Sequence, residues 1–107
     1  MTDDHFDACR SLLDTDCAAL LLKKGADYSG QGDRLASFKD VAAACGVDPL
    51  QVWYIFFNKH VTALATYVRT RRLASEPVYE RFKDARNYLD LGCALSLEVD
   101  NLGRKAP

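Results

Sequence analysis

Asp48–Leu73, DPLQVWYIFFNKHVTALATYVRTRRL, is the stretch whose reading decides the fold. Asp48 is a natural N-cap, and Pro49 suits the first helical position, where a missing N–H costs nothing. No glycine or proline follows before Ser75, so the spacing predicts about seven helical turns, on the order of 35–40 Å. Leu50, Tyr54, Phe57, Val61, Leu64 and Val68 recur at alternating steps of four and three and share one face. Val52, Trp53, Ile55 and Phe56 leave the first half almost without a polar side. A helix apolar nearly all round is normally buried, by other helices or by a neighbouring subunit. Asn58, Lys59 and His60 interrupt this apolar segment, and chemistry is sought there first.

Around it the pattern predicts three more helices and an all-α domain spanning 1–107. Asp3–Lys24 carries the stripe Phe6, Cys9, Leu13, Cys17, Leu20 and Leu21, with Gly25 as its stop. Ala26–Ala36 reads as a loop long enough to be functional. Ser37 with Asp40 approximates a capping box for a short helix from Phe38 to Cys45, ended by Gly46. Ser75-Glu76-Pro77 opens a last helix reaching Val99, with Phe82, Ala85, Leu89 and Cys93 as its apolar face and Leu91 and Leu95 widening it. Asn101–Pro107 reads as a flexible tail. The expected architecture is a compact four-helix bundle, with two long helices around a long central one, and oligomeric.

The 107 residues suffice for one core. A formal charge of −1 gives no general electrostatic attraction to nucleic acid or an anionic membrane. No apolar run approaches the roughly 20 residues of a membrane span. Cys9, Cys17, Cys45 and Cys93 stand far apart and read as small buried residues in a reducing cytoplasm.

Two patterns bear on function. FKDVAAACGVDPLQVWYIFFNKHV fits a helix-turn-helix template and resembles a short run of the LacI-type repressors. Its second helix, however, would show DNA Leu50, Trp53, Tyr54 and Phe57, without positive charge. A DNA- or protein-binding regulator therefore stands behind other readings. On the last helix Glu76, Glu80, Asp84 and Asn87 fall at steps of four, four and three on one face. Such a row suits a divalent cation, with Glu80 and Asp84 as ligands, or sugar hydroxyls.

Taken together, LLLKKGADYSG…SF…FNKH…EPVYERFKDARNYLDL resembles small phage-encoded all-α proteins of the nucleotide-modification-associated type. Those are distantly similar to MazG-like nucleoside-triphosphate pyrophosphohydrolases. The resemblance implies an oligomeric helical bundle with a nucleotide ligand. It implies as ligand-binding positions Lys24, Asp27, Lys59, Glu80, Asp84 and Asn87; the chemistry of Tyr28 or Trp53 (stacking on a base) and of His60 and Arg69 or Arg72 (phosphate contact) adds further candidates. MazG-like enzymes pair an ExxE with a later ExxD to hold Mg²⁺. Here the early helix beyond its first two turns has only Asp14 and Asp16, followed by aliphatic residues, and the later spacing is ExxxD. The expected function is thus a non-catalytic nucleotide binder, of the kind that sequesters a host signalling nucleotide. A Mg²⁺-dependent hydrolase is the alternative.

Overall fold

The computed structural model describes residues 1–28 and 32–100; at 26–28 it describes the backbone and not the side chains. The reading of 101–107 as a tail lies outside those residues. The described residues form four α-helices: α1 (Asp3–Tyr28), α2 (Ala36–Cys45), α3 (Pro49–Thr70) and α4 (Val78–Asp100).

The α2–α3 corner follows from local chemistry. Gly46 takes φ +68°, the left-handed region that a side chain disfavours, and Val47 N–H closes on Ala42 C=O at 3.0 Å. Asp48 then caps α3: its carboxylate accepts Leu50 N–H at 2.7 Å, while Gln51 returns an acceptor to Asp48 N–H at 3.0 Å. At the other end α3 stops at Thr70, three residues short of the expected Leu73. Arg71 turns left-handed at φ +60°, and the Thr70 hydroxyl accepts Arg72 N–H at 3.2 Å. A side-chain oxygen able to satisfy backbone N–H groups ends a helix without glycine or proline.

Two boundaries near the expected loop are corrected. α1 runs through Gly25 to Tyr28, and α2 begins at Ala36. Gly25 is not a stop; it is a space. A Cβ there would collide with the Arg34 guanidinium, whose Nη1 donates to Leu21 C=O at 2.8 Å. Nor do Ser37 and Asp40 form the cap of α2. α2 has no side-chain cap; Asp33 instead shapes the turn into it, its carboxylate accepting Leu35 N–H at 2.9 Å and the Lys39 ammonium at 2.7 Å. Lys39 also reaches Glu98 at the far end of α4.

The core lies between α2, α3 and α4. Leu35, Phe38, Ala42, Val52 and Leu95 are buried, with Trp53, Phe56, Tyr88 and Leu91 packed against them. On α3 the inward face is therefore Val52, Trp53 and Phe56. The 4-3 stripe is largely not inside: Tyr54 is 59% exposed, Val61 42% and Val68 63%. On α4 the expected apolar face splits: Ala85 and Leu95 are buried and Leu91 packs on the core, whereas Phe82 is half exposed and Leu89 and Cys93 are exposed. Asn87 and Gly92 join the buried side. Of the four cysteines, Cys17 alone is buried; Cys9, Cys45 and Cys93 are exposed free thiols.

The helix with long partners on both sides is α4, not α3. α3 meets it through Trp53, whose indole N–H donates to Tyr88 C=O at 2.6 Å. A Cβ at Gly92 would occupy the indole's place, so glycine sets how closely the two helices approach. α1 meets it through polar ties. Buried Asn87 donates to Cys17 C=O at 3.1 Å, Arg86 pairs with Asp14, and Tyr79 donates to Asp16 at 2.7 Å. Asp14 and Asp16 are thereby absorbed in docking α1.

The Asp16 bond, foremost, holds the Tyr79 phenol protonated and pushes its pKa up to about 12 from an ordinary 10.0. Folding favours the neutral phenol, so this contribution to stability is full below pH 10 and disappears as pH rises toward 12. Alkaline titration at 295 nm should show one of the five tyrosines ionising near 12. Asp16→Asn should bring it down toward the others; no late tyrosine would mean the bond is absent in solution.

Candidate functional site

Between the end of α1, the start of α2 and the middle of α4 lies a cavity of about 160 Å³, lined by Lys24, Gly25, Arg34, Ser37, Asp84 and Asn87 among others. Asp84 and Asn87 stand at i and i+3 on α4, one above the other, and aim at the same space. The Asp84 carboxylate is only 14% exposed and is held by the Lys24 ammonium at 3.1 Å. Arg34 reaches in because Gly25 leaves it room.

A second recess of about 340 Å³ opens where α2 faces α3. It is lined by Ser37, Phe38, Val41, Phe56, Lys59, His60 and Tyr88. Ser37, Phe38 and Tyr88 line both spaces. Phe38 and Tyr88 meet edge to face, centroids 6.2 Å apart, so the aromatic pair stands between two chambers of one groove. Lys59 keeps its ammonium 5.3 Å from the Phe56 ring centroid, its stem along the apolar wall and its head exposed.

His60 sits deeper, its ring 4.9 Å from that of Tyr88. Arg81 Nη1 stands 3.4 Å from His60 Nδ1. A guanidinium only donates, so this contact requires an unprotonated Nδ1. Burial, foremost, pushes the His60 pKa below its usual 6.5; Asp84 opposes that, while Arg81 and Lys24 reinforce it. The imidazole is neutral at pH 7, with Nε2 carrying the proton.

Of the expected site residues, the groove gathers Lys24, Lys59, His60, Asp84 and Asn87. Glu80 is not among them: it pairs with Lys83 at 3.1 Å, and Glu76 pairs with Arg81 at 2.8 Å. The expected row of acids is thus dispersed, each carboxylate taken by a different cation. Among the described residues no three His, Cys, Asp or Glu side chains converge as a metal would need. Asp27 and Tyr28 lie in the last turn of α1, one turn beyond Lys24, with side chains outside the described residues. Two other expected contacts are misplaced. Trp53 is spent on the α4 interface and stacks on Phe57 at 5.2 Å. Arg69 and Arg72 stand ten or more residues from Lys59, on the order of 15 Å along the helix. Arg34, Phe38 and Tyr88 enter the site instead. Arg34 was hidden because its place depends on a glycine nine residues earlier.

Among the described residues no helix is long and apolar enough to cross a membrane. Comparison of the chain with protein-family models, with curated proteins and with solved structures finds no match.

Proposed function

We propose that the chain is a non-catalytic nucleotide-binding protein that works as a homo-oligomer, and that the two-chambered groove is its ligand site. The observation that carries this is the Phe38–Tyr88 pair flanked by cations on both sides, Lys24 and Arg34 in one chamber and Lys59 in the other. A base fits the aromatic chamber between Phe56 and Tyr88, where ring faces favour offset stacking. Phosphate oxygens meet the ammonium and guanidinium groups at the rims. Asp84 accepts a hydrogen bond from a sugar hydroxyl, and neutral His60 offers Nε2–H as a donor without adding charge.

The arrangement favours holding over cleaving. Phosphoryl transfer requires cations fixed against the developing charge, and the carboxylates here are each engaged by lysine or arginine. Sequestration of a signalling nucleotide is the use to which such a site is suited, and a small phage-encoded protein is the setting that the resemblance implies.

Native mass spectrometry of protein purified from cells, with a nucleotide panel incubated with Mg²⁺ or Mn²⁺ and resolved by chromatography, tests the reading. A co-purifying nucleotide recovered intact supports it. Turnover abolished by Asp84→Asn would make the protein a hydrolase instead. A panel of mono-, di-, tri- and cyclic nucleotides that leaves thermal unfolding unmoved at millimolar concentration would remove the ligand class altogether.

A further inference from the structure

We infer that the outer face of α3 is the subunit interface, and that its occupant is α3 of a second copy running antiparallel across a two-fold axis. This deepens the assembly half of the reading above and is independent of the ligand.

Tyr54, Phe57, Val61, Leu64 and Val68 follow strict steps of three and four, the spacing that keeps an apolar seam facing a partner helix. Within the chain this seam is only partly covered: Phe57 and Leu64 are half-buried, while Tyr54, Val61 and Val68 are 59%, 42% and 63% exposed. The inward face of the same helix is a different set, so α3 is apolar on two sides and one of them faces water. The flanks carry no charge. Gln51, Asn58 and Ala65 line one edge and Trp53, His60 and Tyr67 the other, while Lys59 stands on the far side, toward the groove. A second copy thus meets no like charge along the seam and leaves both grooves open.

The surface area agrees. A monomer of 11.9 kDa is expected to expose about 6,000 Å², and the chain exposes 7715 Å². Taking residues 29–31 and 101–107 out of both figures, at the full surface of an extended chain, still leaves an excess on the order of 650 Å². A standard interface covers roughly 800 Å² per partner. Among the described residues no other exposed apolar set makes an uncharged face of this length. Phe6, Leu12 and Leu22 on α1 share no helical register; Phe82, Leu89 and Leu97 on α4 are interrupted by Arg86 and bordered by Lys83 and Asp90; Val47 and Ile55 make a short patch with Leu50 and Tyr54 at the N-terminal end of the seam.

Charge fixes the direction. The N-terminal end of α3 carries Asp48, and its C-terminal end carries Arg69, Arg71 and Arg72. Parallel pairing would bring six arginines together; antiparallel pairing sets each arginine cluster beside the partner's Asp48 and opposes the helix dipoles. With the axis between Phe57 and Val61, Tyr54 faces Leu64 of the other copy.

Light scattering should give twice the 11.9 kDa chain mass, and Val61→Glu should weaken dimerisation at least 100-fold with helical content unchanged. Phe82→Glu, equally exposed on α4, should leave the dimer intact. If Val61→Glu does not fold, Tyr54→Lys takes its place, since that side chain lies mostly in water. In a background of Cys9→Ser, Cys45→Ser and Cys93→Ser, the pair Tyr54→Cys and Leu64→Cys should cross-link on oxidation as 54 to 64 between chains. A wild-type monomer at 100 µM would overturn both this interface and the oligomer reading. An oligomer indifferent to Val61→Glu and Tyr54→Lys, or cross-linked 54 to 54, would overturn this interface alone.

Discussion

Gly92→Ala is expected to destabilise the protein by about 2 kcal/mol, the middle of the range for a methyl group forced into packed space. On an exposed helix the same change would stabilise by nearly 1 kcal/mol. The sign reverses here because the new methyl overlaps the Trp53 indole. That ring cannot swing away cheaply. Its N–H is bonded to Tyr88 C=O, and its face is stacked on Phe57, 8° from parallel. Either the ring leaves its partners or α3 backs away from α4. For a domain of this size the cost corresponds to roughly 8–15 °C in Tm, readable by circular dichroism at 222 nm. A Tm equal to or above that of the parent would mean the helices are not in such close contact. Trp53→Phe combined with Gly92→Ala should cost less than the two changes separately, because the smaller ring yields the space.

That glycine also marks how far the sequence could be read. The four helices were legible because their punctuation is chemical: Asp48-Pro49 and Gly46 each do what a cap or a stop does. What failed was the assignment of faces. Apolar periodicity on α4 found Ala85, Leu91 and Leu95 but also pointed to Phe82, Leu89 and Cys93, which face out, and it missed Asn87 and Gly92 on the buried side. Close helix approach selects small residues, and hydropathy gives such residues little weight. An asparagine buried by donating to Cys17 C=O is likewise indistinguishable, in sequence, from one facing water. Gly25 misled for the same reason, as a gap filled by another residue's guanidinium. Within the candidate site, Asp84 and Asn87 were legible from their spacing and Lys24 from the resemblance. Arg34 and Tyr88 were not, because tertiary packing alone brings them there.

Lys59→Ala is expected to lower nucleotide affinity 10- to 100-fold while lowering Tm by only about 2–8 °C. The asymmetry follows from position. The side chain is exposed, and its contact with Phe56 is a cation lying over a ring, worth about 0.5–1 kcal/mol at an exposed site. A charge-assisted bond to a phosphate oxygen is worth about 1.5–3 kcal/mol, which is the affinity range stated. Lys59→Arg should retain much of the binding, since charge and reach survive. Isothermal titration with the co-purified nucleotide, run beside thermal unfolding of the same samples, separates the two effects. Unchanged affinity in a folded Lys59→Ala protein would move the phosphate to the Lys24 and Arg34 side of the groove. A large loss of Tm would make the lysine a structural residue.

The Trp53 hydrogen bond has a practical side. The chain has a single tryptophan, and its indole N–H is fastened to the backbone of the residue whose ring divides the groove. Emission from that one indole is sensitive to the strength of the bond and to the polarity around it. Whatever presses on the Tyr88 ring tugs on the carbonyl behind it. The protein therefore carries its own optical reporter, placed one peptide unit behind the chamber wall. Unlabelled protein, excited at 295 nm, should register occupancy of the groove as a shift in colour or intensity.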